Sequence, residues 1–193
     1  MLVGACSAAA VVVACSASDP APAPAGDALC STYCNRILAE CTGADTMYRD
    51  SAQCMTACKD LDPVNETGET GNTVKCRVGQ LDKKNCRSAG PLGGGVCGQR
   101  CDGFCKIVQA TCSTQAAPPY PDLGTCTEEC NTVLRFDPAA PEGIEQPFTG
   151  EDTLNCRVQH LLLAFKDPNP HCNHVAVQSA QCRASASSDA GHD

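Results

Sequence analysis

The chain contains no tryptophan, and four phenylalanines and three tyrosines are all the aromatic carbon rings it has in 193 residues. Leu, Ile, Val and Phe supply 27 of the 178 residues after Cys15, about 15%, below the roughly 20% under which a charged chain lacks the means to build an ordinary apolar core. Basic residues are also few: 14 Lys and Arg against 22 Asp and Glu give a formal charge of −8. With no cationic stripe to neutralise phosphates, nucleic acid is excluded as an expected partner. There is no Cys-x2-Cys knuckle of the kind zinc ribbons use, no Cys-x2-Cys-His for haem, and no ferredoxin spacing. The G-x-S-x-G elbow, the H-E-x-x-H helix and the P-loop are absent too. Gly93-Gly94-Gly95-Val96-Cys97-Gly98 fits the letters of a dinucleotide fingerprint. With no strand pattern ahead of it, it reads as a flexible linker.

What the chain has is sulfur: 18 cysteines. They fall in a figure that occurs twice. Cys30-x3-Cys34-x6-Cys41-x12-Cys54-x3-Cys58 returns as Cys101-x3-Cys105-x6-Cys112-x13-Cys126-x3-Cys130. On an α-helix, positions i, i+4 and i+11 fall within about 40° of one another, so each figure predicts two helices presenting sulfur stripes to each other. Each half continues with three more cysteines: Cys76, Cys86 and Cys97, then Cys156, Cys172 and Cys182. Cys76-Arg77-Val78 and Cys156-Arg157-Val158 fix the register between halves. Insertions fall between these blocks, where loops tolerate them. The fold class expected is all-α, small and disulfide-rich, with two tandem eight-cysteine helical repeats at 30–97 and 98–182, each built on a stapled antiparallel helix hairpin.

Periodicity and breakers place helices at about 28–41 (capped by Asp27), 51–60 (capped by Asp50 or Ser51), 73–81, 98–112, 123–136, 154–165 (opened by Asp152 or Thr153) and 171–182. The Gly-rich 86–97 stretch is expected to have little regular structure. In an antiparallel hairpin the outer pairs are Cys30–Cys58 and Cys101–Cys130, and the inner pairs Cys34–Cys54 and Cys105–Cys126. For the remainder the expectation is Cys41–Cys76, Cys86–Cys97, Cys112–Cys156 and Cys172–Cys182. The nested spacing is similar to that of the α-hairpinins, peptides with two Cys-x3-Cys helices. That resemblance covers the hairpins and implies no activity.

Residues 1–14 carry no charged side chain and are rich in Ala and Val. At that length they form a signal-peptide core rather than a span. Val12-Val13-Ala14-Cys15-Ser16 resembles the lipobox of bacterial lipoproteins. The resemblance implies lipidation of Cys15, with Val3-Gly4-Ala5-Cys6 a poorer second site and an ordinary secretory leader the alternative. Alternating Pro and Ala within 16–27 favours an extended spacer, so 15–29 reads as a tether and 183–193 as a disordered tail. The expected location is the bacterial cell envelope, lipid-anchored, or else secretion. The expected partners are the membrane, through that anchor, and another envelope protein.

Three histidines give the sharpest chemical lead. His160, His171 and His174 all lie in the second half, where the first half has Gln80, Asn85 and Ser88. His171 and His174 share a face if helical, and His160 follows Cys156 by one turn. Brought together, three imidazoles suit Cu²⁺ or Zn²⁺. The acidic Glu142, Glu145, Glu151 and Asp152 are expected to serve solubility and capping. The functional expectation is a non-enzymatic envelope lipoprotein acting as a binding or structural module through its loops at 60–72 and 137–150. The alternatives are a copper- or zinc-binding or redox protein using the three histidines, and a hydrolase inhibitor.

Overall fold

The computed structural model describes residues 25–61, 70–140, 142–143 and 152–183. The leader with Cys6 and Cys15, the Pro-Ala spacer, most of the two long loops with Glu145 and Glu151, and residues 184–193 lie outside it. The described chain is all-helical: α1 (Ala25–Glu40), α2 (Ser51–Leu61), α3 (Val74–Asp82), α4 (Cys86–Ala89), α5 (Arg100–Cys112), α6 (Leu123–Val133), α7 (Leu154–Ala164), α8 (Pro168–His174) and α9 (Ala180–Arg183). Two single 3-10 turns lie at Gly43–Asp45 and Gly93–Gly95. Extended pairing among the described residues is limited to one isolated bridge between Arg135 and Thr153. No described helix is long and apolar enough to cross a membrane.

Local chemistry accounts for where the helices begin. The side chains of Thr73 and Thr153 accept from the backbone N–H of Cys76 and Cys156 at 3.1 and 3.3 Å, and Asp122 accepts from Thr125 at 2.8 Å. Each satisfies a donor that the first helical turn leaves open. Asp50, rather than Ser51, does the same for Gln53 at 2.8 Å. Asp27 is not a cap. The first helix opens two residues earlier, and Asp27 sits in its first turn, paired with Lys59 at 3.3 Å.

Sulfur and rings fill the space that aliphatic side chains leave. The bridges Cys30–Cys58 and Cys34–Cys54 staple α1 to α2, and Cys101–Cys130 and Cys105–Cys126 staple α5 to α6. The buried apolar residues form one cluster through both halves. Tyr33 meets Tyr48 edge-on at 6.3 Å, and Phe104 meets Tyr120 the same way at 6.5 Å, the geometry that ring quadrupoles favour.

The other four bridges correct the expected pairing. They are Cys41–Cys86, Cys76–Cys97, Cys112–Cys172 and Cys156–Cys182, not Cys41–Cys76, Cys86–Cys97, Cys112–Cys156 and Cys172–Cys182. The cause is the short helix that follows α3 or α7. It folds back over its predecessor, and its cysteine reaches the end of α1 or α5. The cysteine on α3 or α7 is then left for the last one of its half. In the first half the reversal turns on Lys84, at φ 56°.

The glycine stretch is no flexible linker. Gly93 is buried, and a Cβ on Gly94, at φ +57°, would lie 2.8–3.0 Å from Ser88 atoms. The expected single helix at 171–182 is likewise two short ones, α8 and α9, with 175–179 between them.

Two fully buried arginines hold these turns. Arg77 donates to the carbonyls of Thr73, Gly90 and Pro91 and to Asn72 Oδ1, at 2.7–3.1 Å. Arg157 donates to the carbonyls of Thr153, Ala176 and Val177 and to Asp152 Oδ1, at 2.6–3.1 Å. A guanidinium carries five N–H donors in a rigid fork, so one side chain can tie a helix start to a returning loop.

The halves touch through α2 and α5, and Gln53 Nε2 donates to Leu162 O at 2.6 Å. The start of the 137–150 loop is not a free surface. Arg87 donates to Pro138 O at 2.6 Å, and Glu142 is buried with Arg100 at 3.6 Å. A Cβ on Gly143 would collide with Thr46 O. Glu142 therefore serves neither solubility nor capping. Burial pushes its carboxyl above the usual range, against the partial relief given by Arg100 and Arg87.

Candidate metal centre

His160 lies on α7, one turn after Cys156, and His171 and His174 lie one turn apart at the end of α8. The fold brings all three together. His160 Nδ1 is 3.2 Å from His171 Nδ1, and His174 Nδ1 is 3.3 Å from His160 Nδ1. The ring centroids are 4.6–5.8 Å apart. One ligand atom from each ring lies within 4.8 Å of the others.

These separations match a metal's needs. Bonds of about 2.0–2.1 Å from Zn²⁺ in a tetrahedral array put two ligating nitrogens about 3.3–3.4 Å apart. A network of hydrogen bonds suits the arrangement less well. An Nδ1 carries either one proton or one in-plane lone pair, so His160 Nδ1 offers a single direction to two neighbouring nitrogens. A cation instead takes one lone pair from each ring.

The electrostatics keep those lone pairs available. His160 is 7% exposed. Burial, and then the proximity of His174 and His171, holds its imidazolium down to a pKa of about 4. His174 is lowered too, by burial and then by His171. Neutral imidazole is the form that binds metal. His171 and His174 are partly exposed, so the cluster is open to solvent on that side.

The rings are held from behind. Cys172, between the two α8 histidines, is tied to Cys112 on α5. Directly after His174, Tyr120 donates to Val175 O at 2.9 Å, and Arg157 holds the carbonyls of Ala176 and Val177. Arg157 and His160 share α7, so one helix carries one imidazole of the cluster and clamps the chain that carries the other two. Such outer contacts fix ligand orientation.

A second group, Cys156, His160 and Cys182, also places ligand atoms within 4.8 Å of one another. Its two sulfurs are bonded to each other and are not metal ligands in that state. The three imidazoles are legible in the sequence and their clamp is not, although Arg77 and Arg157 recur at equivalent positions directly after Cys76 and Cys156.

No protein-family model matches the chain, and comparison with curated proteins and with solved structures gives no significant match.

Proposed function

We propose that this is an exported, disulfide-stapled metal-binding protein whose second half holds one borderline divalent ion, Zn²⁺ or Cu²⁺, on His160, His171 and His174. The observation that carries the reading is that the Nδ1 atoms of His171 and His174 both lie 3.2–3.3 Å from His160 Nδ1. Two features support it. Imidazole is the ligand type for both ions, and the net charge of −8 draws cations to the surface. The bridges agree with an oxidising compartment outside the cytosol. Lipidation of Cys15 would make the protein an envelope lipoprotein presenting this site away from the membrane, with no catalytic role.

The test is metal uptake by the oxidised full chain, read by calorimetry and elemental analysis. The expected result is one equivalent of Zn²⁺ or Cu²⁺ at micromolar concentration, abolished in the variant carrying His160→Ala, His171→Ala and His174→Ala. No uptake, or equal uptake by that variant, would refute the proposal.

A further inference from the structure

His160 belongs to both potential donor sets. On one side are the nitrogens of His171 and His174. On the other are the sulfurs of Cys156 and Cys182, within 4.8 Å of a His160 ligand atom. We infer that the Cys156–Cys182 bridge is a redox-controlled donor pair. Its reduction by a dithiol converts the three-imidazole centre into one with two thiolates, Cys156, Cys182 and His160 holding the ion. This rests on the metal-binding reading above and adds its regulation.

The chemistry balances. A dithiol gives two electrons and two protons to the bridge and becomes a disulfide itself; the S–S bond breaks and two thiols form. Zn²⁺ then displaces both thiol protons, since the thiolate is the ligand. Sulfurs on a tetrahedral zinc with bonds of about 2.3 Å stand about 3.8 Å apart. The two side chains must therefore separate from bonding distance by less than the width of an atom. His160 is common to both donor sets, so the two sites adjoin and the ion has one residue of its set in place on either side.

Position also explains why this bridge, of the eight, would respond. A dithiol attacks bridges without regard to metal, but among the described residues only this pair of sulfurs falls in a group with an imidazole. The corresponding bridge of the first half, Cys76–Cys97, belongs to no such group. Metal traps the reduced form where the third donor stands ready, and it shifts the bridge's potential by about 30 mV for each tenfold preference for the dithiol form.

Co²⁺ is the probe, because thiolate ligation gives it intense sulfur-to-metal charge-transfer absorption that imidazole ligation lacks. The oxidised full chain with Co²⁺ should show only weak ligand-field bands. Graded reduction with dithiothreitol should bring up the charge-transfer bands. At the same point, mass spectrometry should find Cys156 and Cys182 released from their bridge and shielded from alkylation until a chelator is added. Cys156→Ala frees the Cys182 thiol with no reductant present, and it should show a weaker sulfur band with the other bridges intact. Cys76→Ala should show none. Absence of sulfur bands both in reduced protein with free Cys156 and Cys182 and in Cys156→Ala would overturn this inference while leaving the three-imidazole site standing. Failure of the oxidised chain to take up Co²⁺ or Zn²⁺ would overturn the parent reading and this one with it.

Discussion

The two halves share a frame and differ in what hangs on it. Both have an aromatic pair, and in both a tyrosine hydroxyl reaches the residue three after the short-helix cysteine. Tyr33 donates to Ala89 O at 2.7 Å, and Tyr120 donates to Val175 O at 2.9 Å. The donor comes from opposite members of the pair, because Phe104 stands where Tyr33 does and has no hydroxyl. Both have a buried arginine aimed at equivalent carbonyls. Yet where the second half has imidazoles, the first has a helix cap: Asn85 Oδ1 accepts from Ser88 N at 3.2 Å. The frame thus accommodates either a capping hydrogen bond or an imidazole cluster at one place.

The arginines offer the hardest way to break the comparison. Replacing either removes a guanidinium from at least three buried carbonyls, and each acceptor left without a donor costs about 1–3 kcal/mol. Arg77→Met and Arg157→Met are each expected to destabilise by about 3–5 kcal/mol in denaturant titrations, and by similar amounts. A loss under about 1 kcal/mol in one half alone would show that the clamps are not equivalent. Arg157→Met should in addition weaken metal binding, because it releases the chain after His174. Arg77→Met should leave affinity unchanged.

Transplantation sharpens the same contrast. Gln80→His, Asn85→His and Ser88→His together rebuild the imidazole set on the first-half frame. The expected outcome is a second equivalent of Zn²⁺ in calorimetry, at a stability cost of about 1 kcal/mol for the lost cap. Removing one native ligand by His160→Gln should weaken uptake about 100-fold or more, at least the upper end of what losing an outer-shell contact does. A three-site variant that stays at one equivalent would mean that the second half contributes more than a frame.

How much of this could be read from the residues differs by scale. The hairpin bridges followed from helical spacing, because Cys-x3-Cys puts both sulfurs on one face whatever surrounds them. The candidate imidazoles followed from their absence in the other half. The pairing of Cys41, Cys76, Cys86 and Cys97 was not legible. It depends on which way a four-residue helix folds back, and that is set by long-range acceptors for Arg77 and by the turn at Lys84. The buried Glu142 was missed for the same reason. Its local sequence, Pro141-Glu142-Gly143, reads as a polar loop, and only contact with Thr46 and Arg100 from distant parts of the chain puts it inside.

One group in each half, Asp60 and then His160, is shifted by burial, and the two shifts run in opposite directions. On the first half, burial pushes the Asp60 carboxyl up to about 6 from 3.8. The native state then holds a proton that the unfolded chain has lost, so Asp60's contribution falls as pH rises from about 4 to 6. On the second, His160 sits at about 4 against 6.5. The unfolded chain binds the extra proton there, and stability is lost as pH falls through that window. In metal-free protein the two slopes offset each other. Asp60→Asn should leave a Tm that drops on acidification from pH 6.5 to 4, and His160→Gln one that rises. Parallel profiles for both variants would contradict the assignment. Added Zn²⁺ should make the wild type lose stability on acidification and should steepen the loss in Asp60→Asn, but not in His160→Gln, since protons compete with the metal for the imidazoles.

The smallest expected effect tests the finest difference between the clamps. Arg77 donates to neutral Asn72, and Arg157 donates to Asp152, which also meets Arg183 at 3.4 Å. The Asp152 side chain is 42% exposed, so solvent screens most of the gain from its charge, and such pairs contribute about 0–1 kcal/mol. Asp152→Asn keeps the acceptor oxygen and makes the second clamp chemically like the first. A loss below about 1 kcal/mol, shrinking further at high salt, is expected in denaturant titration. A loss several times larger would mean that the second half depends on a charge at Asp152 to hold α9, and with it Cys182, against α7. The frame would then be shared in geometry but not in what stabilises it.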